Sequence, residues 1–195
     1  MMKIKITGNE KLQEYFFKKS INDNPSFFGD PIEYEIVIDH MSGVNYLNGN
    51  KYPLLFPKDM VEFVHGMSKD KVGDYYFKGV ISDKREWIKG YEDKGTIVNS
   101  FYGRNSSTKY ILDEEYYRGM CGSKFTLTPT GDCPWSYRFF ESILCFSIPI
   151  LEDDTDDVYK HLFKYYLNSD VHVYDYEMAK YNYDIMIKNF TSISI

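Results

Sequence analysis

Residues 123–141 have the sequence SKFTLTPTGDCPWSYRFFE, which joins a β-type run, a loop with Pro and Gly, and the polar start of an apolar helix. The pattern predicts a strand, a helix over 139–146 and a second buried strand over 148–151. Unpaired backbone N–H groups and the helix dipole both face such a loop and favour an anion there. Open α/β sheets bind ligands at the carboxyl ends of their strands. The stretch therefore predicts an anion site at the end of a strand.

Strands and helices alternate on both sides of this stretch. Further strands are predicted at 3–7, 33–38, 75–81, 96–100 and 172–174. Further helices are predicted at 10–20, 57–65, 84–91, 114–121, 158–166 and 176–190. Loops are expected at 22–31, 41–53 and 103–109. The alternation predicts an α/β fold with a Rossmann-like, doubly wound parallel sheet.

A polar, Gly-containing segment at 66–73 predicts the boundary between two parts of the chain. The first part, residues 1–70, is an abbreviated α/β region that begins with a small βαβ unit. The second part, residues 71–195, is a Rossmann-like domain that contains the predicted anion site.

Composition narrows the function classes. The 195 residues are 43% hydrophobic and 27% charged, which is typical of a globular protein, and the formal charge of −6 argues against binding a nucleic-acid backbone. The three cysteines lack the CxxC spacing of a zinc site, and they suit a reducing compartment. No apolar run is long enough for a signal or membrane segment, so a cytoplasmic protein is expected. A membrane-surface or oligomeric partner stays open.

An ordered series of short motifs extends from residue 75 to residue 155. Phe77-Lys78-Gly79 is followed by Arg85, and later come Tyr117, Ser123-Lys124-Phe125, Pro129, Gly131, Ser136, Arg138-Phe139, Glu141 and Ile148-Pro149-Ile150. This series resembles the C-terminal half of exostosin-like glycosyltransferases. The resemblance covers under half of the chain.

The resemblance implies a GT-B fold, in which two Rossmann-like domains face each other across a cleft. It also implies transfer of a sugar from a nucleotide-sugar donor to a glycan acceptor, usually without a bound metal. The donor is a substrate, so no cofactor is expected. Because this chain is much shorter than a two-domain enzyme, the resemblance implies a reduced acceptor half.

Arg138 falls on the motif arginine and is expected to hold the donor diphosphate, since a guanidinium can bind two phosphate oxygens. The alternative is a surface arginine paired with Glu141 or Asp132. The resemblance implies that Glu141 accepts hydrogen bonds from the ribose hydroxyls, and a carboxylate has the acceptor oxygens for this role. The alternative for Glu141 is a surface pair with Arg138.

Five more residues are candidates around the donor. Ser136 is either a phosphate ligand, the N-cap of the helix, or both. Gly131 and Thr130 offer backbone N–H groups and a hydroxyl. The resemblance implies a second diphosphate contact for Arg85, and the alternative is a solvated helix residue. Lys124 is a weaker candidate, because it begins a strand.

Asp39 and His40 end a strand in the first part and are the candidate catalytic bases for deprotonating an acceptor hydroxyl. The alternative is a loop cap. The acidic run 152–157 superficially resembles a metal-binding motif, but acidic residues are favourable at a helix N-terminus, so no metal site is expected.

Two alternatives to an enzyme of this type stay open. The first is a non-catalytic nucleotide- or glycan-binding module that needs a partner chain. The second is another doubly wound enzyme whose likeness to the family is accidental. Burial of Arg138 and Glu141 away from a cleft would favour the second alternative.

Overall fold

The computed structural model describes residues 3–8, 11–29, 33–39, 44–101, 112–131, 134–154, 159 and 161–193. The chain divides into two compact units. The first unit is Met1–Glu62 with Ile185–Ile195, and the second is Phe63–Asp184. The C-terminal residues therefore belong to the same unit as the N-terminal ones. His40 and the loop expected at 103–109 lie outside the described residues.

The first unit contains a four-stranded sheet in the order β1-β2-β3-β4. Its elements are β1 (Lys3–Thr7), α1 (Lys11–Asp23), a 3-10 helix (Pro25–Phe28), β2 (Glu33–Asp39), β3 (Val44–Leu47) and β4 (Asn50–Pro53). Strands β1 and β2 are parallel and are joined through α1, so they form the predicted βαβ unit. Side chains alternate along β2, and Tyr34, Ile36 and Ile38 join Phe17 and Ile21 of α1 in one apolar core.

Strands β3 and β4 form an antiparallel hairpin where the sequence led us to expect a loop, so the loop prediction is wrong for residues 44–53. Asn48 and Gly49 make the turn, with φ of 50° and 79°. An Asn-Gly pair adopts these positive angles easily and is a strong hairpin signal. The Asn48 Oδ1 also accepts a hydrogen bond from the backbone N–H of Glu35 at 2.8 Å, which ties the turn to β2.

The second unit contains a five-stranded, all-parallel sheet flanked by helices, and this confirms the predicted α/β class. Its strands are β5 (Gly73–Gly79), β6 (Gly95–Asn99), β7 (Ser123–Leu127), β8 (Ile148–Leu151) and β9 (Tyr166–Leu167). Its helices are a 3-10 helix (Asp83–Tyr91), α3 (Glu114–Cys121) and α4 (Tyr137–Leu144). The arrangement is consistent with a Rossmann-like fold. Two more helices, α2 (Lys58–His65) and α5 (Tyr176–Phe190), contain the residues at which the chain passes between the units.

Local sequence explains the helix starts in the second unit. The Asp113 side chain caps α3 by accepting a hydrogen bond from Tyr116 N, and the Ser136 hydroxyl caps α4 by accepting one from Phe139 N. Ser82 precedes the predicted helix 84–91 but makes no side-chain capping bond, and Arg85 has a non-helical φ of −120°. The helix that forms here, Asp83–Tyr91, is a 3-10 helix.

Two predicted elements near the C-terminus are wrong. Within the predicted helix 158–166, the described residues 161–165 are turn and irregular, and Tyr166 begins β9. Tyr159 instead stacks flat on Phe139, with ring centroids 3.7 Å apart. Residues 172–174 form no strand, and the His172 Nδ1 lies 3.0 Å from the Tyr75 hydroxyl.

Lys71, which precedes β5, is hydrogen-bonded to the C-terminal ends of α3 and α4. The Lys71 Nζ donates hydrogen bonds of 2.8 Å to the carbonyl oxygens of both Cys121 and Cys145. Cys121 ends α3 and Cys145 is the C-cap of α4. Carbonyl groups at helix C-termini attract a cation. Lys71 therefore joins two helices that lie next to each other in the fold.

Candidate anion site at the carboxyl edge of the parallel sheet

The strand order β6-β5-β7-β8-β9 changes direction at β5, because the chain first adds β6 on one side and then β7 on the other. Ligands of open α/β sheets bind at the carboxyl ends of the strands, at such a switch point. Strand β5 pairs with β6 as far as Gly79, but its pairing with β7 stops at Tyr76 and Thr126. We call the space between residues 77–80 and 127–130, where the two strands no longer pair, the switch-point gap.

Arg138 reaches the switch-point gap from the first turn of α4. Its Nη2 donates to the Lys78 carbonyl at 3.0 Å, and its guanidinium carbon lies 4.6 Å above the Phe77 ring centroid. Its Nε is buried and has no hydrogen-bond partner, and no carboxylate of the described residues forms an ion pair with it. The alternative pairing with Glu141 is not observed, since the Glu141 oxygens accept from Tyr116 and Tyr117, and Asp132, the other candidate partner, lies outside the described residues. A guanidinium with a spare buried donor, and with no ion pair to a described residue, is suited to an anion.

Arg85 enters the same gap from the 3-10 helix. Its Nη1 donates to the Val80 carbonyl at 3.1 Å, and its Nε and Nη2 donate to the Thr130 carbonyl at 3.2 and 2.9 Å. Val80 follows β5 and Thr130 follows β7. The guanidinium therefore bridges the two strands beyond the point where their own pairing ends.

Carbonyl direction explains why both arginines lie on the same side of β5. The Gly79 carbonyl points toward β6, where it accepts from Ser100 N at 2.9 Å. Carbonyls alternate in direction along a strand, so those of Lys78 and Val80 point toward β7. These are the acceptors that Arg138 and Arg85 use. The structure thus brings Arg85 and Arg138, the two predicted diphosphate ligands, to one strand end, where they donate to carbonyls two residues apart.

Gly79 allows Arg138 to approach the strand closely. A Cβ atom built at Gly79 would lie 2.7 Å from the Arg138 Nη2 and 3.2 Å from the Phe77 ring. Burial raises the pKa of the neighbouring Tyr76 hydroxyl well above its usual value, and the Arg138 cation opposes that rise. The groups of β5 around the guanidinium are therefore the Lys78 carbonyl and the uncharged side chains of Phe77 and Tyr76.

Thr130, Gly131 and Ser136 lie in the loop after β7. The Thr130 backbone N–H and hydroxyl both donate to Glu152 Oε1, at 2.7 and 2.8 Å, so a carboxylate already occupies them. Gly131 is exposed. The Ser136 hydroxyl is the N-cap of α4, and its backbone N–H donates to the Tyr159 hydroxyl at 2.8 Å. The capping interpretation of Ser136 is confirmed.

Glu141 lies in the interior and is only 1% exposed. Its Oε2 accepts from the Tyr116 hydroxyl at 3.0 Å, and its Oε1 accepts from the Tyr117 hydroxyl at 3.1 Å. The expected ribose contact would require the carboxylate to give up these donors and to leave the core. The contacts that we observe instead join α4 to α3.

The remaining candidates lie elsewhere. Lys124 is near the amino end of β7, at the opposite edge of the sheet from the gap, and pairs with Asp74 at 2.7 Å. Asp39 ends β2 in the first unit. In the acidic run, Asp153 accepts from Ser169 N at 2.7 Å, and residues 155–157 lie outside the described part of the chain. Among the described residues, no group of three or more His, Cys, Asp or Glu side chains could hold a metal ion.

The sequence analysis missed Glu152 as an individual residue, because it appeared as part of an acidic run. Its position directly after the buried strand β8 was the available signal, since that position places it at the carboxyl edge of the sheet. The run has divided roles: Glu152 is 8% exposed, whereas Asp153 is exposed.

Neither a scan of protein-family models nor a search of curated proteins found a match to this chain. None of the helices in the described residues is long and apolar enough to cross a membrane.

Proposed function

We propose that the second unit binds a nucleotide-sugar through its diphosphate at the switch-point gap, and that the chain is a glycosyltransferase of GT-B type. In this proposal it transfers the sugar to a glycan acceptor without a metal ion, and it works in the cytoplasm. The observation that carries the proposal is the pair of guanidinium groups, Arg138 and Arg85, on the Lys78 and Val80 carbonyls. The motif resemblance supplies the reaction class.

Sugar transfer from a nucleotide-sugar requires positive charge near the diphosphate, which is the leaving group. When the glycosidic bond to the donor breaks, the diphosphate gains negative charge, and preorganised cations stabilise that charge in the transition state. Arg138 is held in place by a carbonyl and by an aromatic ring, so it pays little reorganisation cost when an anion arrives. Arg85 would supply a second cation across the gap. Asp39 and His40 are the proposed acceptor bases, from the first unit.

The second candidate is a binding module without catalytic activity. It is favoured by one observation: both arginines, the carbonyls that hold them and the switch-point gap belong to the second unit alone. Nucleotide binding would then need no residue from the first unit, and a partner chain would supply the acceptor site.

A thermal-shift screen tests the shared requirement for nucleotide binding. UDP, GDP, CMP and their sugar conjugates are added to the wild-type chain, to Arg138→Met and to Arg118→Met. Methionine keeps the packing over Phe77 but removes the charge. Arg118 is a matched control, because it is exposed and pairs with Glu114 on α3.

We expect at least one nucleotide to raise the melting temperature of the wild type and of Arg118→Met, because a ligand that binds only the folded state stabilises it. Arg138→Met should lose this shift. If no nucleotide or nucleotide-sugar shifts the wild type, both candidates fail. If binding occurs, release of UDP or GDP from the sugar conjugate in the presence of glycan acceptors separates the enzyme from the module.

A further inference from the structure

Glu152 brings a group of opposite charge to the edge of the sheet where the two arginines lie. It directly follows β8 and is 8% exposed. Its Oε1 accepts hydrogen bonds from the backbone N–H and the hydroxyl of Thr130. Its Oε2 is buried and has no hydrogen-bond partner among the described residues. One half of this carboxylate is therefore fully engaged, and the other half has no donor.

A buried carboxylate oxygen without a donor is unfavourable. A carboxylate offers roughly four acceptor positions, and a buried polar atom left unsatisfied costs about 1–3 kcal/mol or more when it is charged. Buried polar groups in native structures nearly always have partners, and open α/β sheets bind ligands at this edge, so we consider a donor from outside the chain as the partner of Oε2. The partner must be a hydrogen-bond donor, and repulsion excludes a phosphate oxygen.

Thr130 connects this acceptor to the cation. Its carbonyl receives two hydrogen bonds from Arg85, while its N–H and hydroxyl hold Glu152. A single residue thus fixes the guanidinium and the carboxylate relative to each other. A ligand that fits both would carry a phosphate and, a short distance away, a hydroxyl.

We propose that Glu152 Oε2 accepts a hydrogen bond from a sugar hydroxyl of a nucleotide-sugar whose diphosphate lies on Arg85 and Arg138. This inference rests on the proposed function, because it places the ligand's phosphates at the switch-point gap. The ribose and the transferred sugar both carry hydroxyl groups, and the acceptor chemistry is the same for the two. In this assignment Glu152 takes the role that the family resemblance implied for Glu141.

Isothermal titration of the wild-type chain separates the sources of the hydroxyl. The ligands are inorganic pyrophosphate, 2′,3′-dideoxy-UDP, UDP and UDP-glucose. Pyrophosphate measures the arginines alone. Tighter binding of UDP than of the dideoxy nucleotide identifies the ribose as the source, and tighter binding of UDP-glucose than of UDP identifies the transferred sugar. If neither pair differs, no sugar hydroxyl is recognised and the inference is overturned.

The same titrations with Glu152→Gln and Asp153→Asn assign the acceptor. Glutamine keeps a carbonyl for Thr130 and replaces the free oxygen with an amide that donates. Asp153→Asn is the matched control, since it removes the same charge from the next residue, which is exposed. We expect Glu152→Gln to weaken the hydroxyl-dependent ligand about tenfold or more, as for a hydrogen bond to a charged group, with pyrophosphate binding and Asp153→Asn unchanged.

Three other outcomes are decisive. Equal loss of pyrophosphate and UDP-sugar affinity in Glu152→Gln would show that the residue only positions Arg85, and this overturns the hydroxyl contact. Wild-type affinity in Glu152→Gln also overturns it. Failure of the wild type to bind both pyrophosphate and UDP overturns the diphosphate site itself, which is the proposed function. If Glu152→Gln does not fold, the wild-type ligand series still decides whether a hydroxyl is recognised.

Discussion

Replacement of Glu141 distinguishes a structural carboxylate from a ribose ligand. In Glu141→Leu, the Tyr116 and Tyr117 hydroxyls lose the oxygens to which they donate. Both tyrosines are almost fully buried, at 2% and 0% exposure. Each buried group that is left without an acceptor costs about 1–3 kcal/mol, so the free energy of unfolding should fall by about 2–6 kcal/mol. Glu141→Gln keeps one acceptor and should lose about half as much.

Urea denaturation followed by circular dichroism measures this loss. The expected loss is large enough to detect, because a domain has only about 5–15 kcal/mol of stability in total. The matched control is the triple variant Glu141→Leu, Tyr116→Phe and Tyr117→Phe. The triple variant removes the two hydroxyl donors together with the carboxylate that accepts from them, so much of the stability should return. The structural interpretation is refuted, and the ribose role stands, if the free energy of unfolding of Glu141→Gln lies within about 0.5 kcal/mol of the wild-type value while its binding of UDP is weak.

Three further predictions concern single residues. Gly79→Ala should weaken pyrophosphate binding, measured by calorimetry, with little change in melting temperature. The reason is that its Cβ would lie 2.7 Å from the Arg138 Nη2, at the flexible end of that side chain. Unchanged affinity would contradict the close approach of Arg138 to Gly79. Burial lowers the pKa of Lys71 from 10.5 to about 8, so folding releases a proton in that range. Stability to urea should then rise between about pH 8 and 10 in the wild type but less so in Lys71→Met, and parallel pH curves would argue against this assignment. Gly49→Ala should destabilise by about 1 kcal/mol from backbone strain alone, since nothing lies within 4 Å of its Cβ; a stabilised variant would rule out the strain.

Periodicity and capping predicted much of the second unit. The apolar pattern placed α3 at its observed bounds, and the short runs at 123–127 and 148–151 formed the expected buried strands. These elements are determined by neighbours in the sequence, so a single sequence can reveal them. The hairpin at 44–53 was also visible in principle, because Asn48-Gly49 specifies its turn.

The candidate site depended on information that spacing does not carry. Arg138 and Arg85 lie 53 positions apart in number, and only the pairing of β5 with β7 brings them to one strand end. Glu141 shows the opposite problem. A separation of three residues placed it near Arg138 on a helix, but α4 turns that position into the core, against two tyrosines of α3. Which face of a short apolar helix is covered is a tertiary property.

The early end of the β5–β7 ladder has a consequence for how this protein could change by mutation. Unpaired backbone groups at a strand edge can form hydrogen bonds with another strand, and the Lys78 and Val80 carbonyls point toward β7. The Arg85 guanidinium joins the Val80 and Thr130 carbonyls beyond the end of the ladder, and the Arg138 guanidinium occupies the Lys78 carbonyl. The positive charge at this strand end and the side-chain contacts to the carbonyls beyond the ladder therefore come from the same two residues. A variant that loses either arginine alters the architecture of the strand end along with its electrostatics.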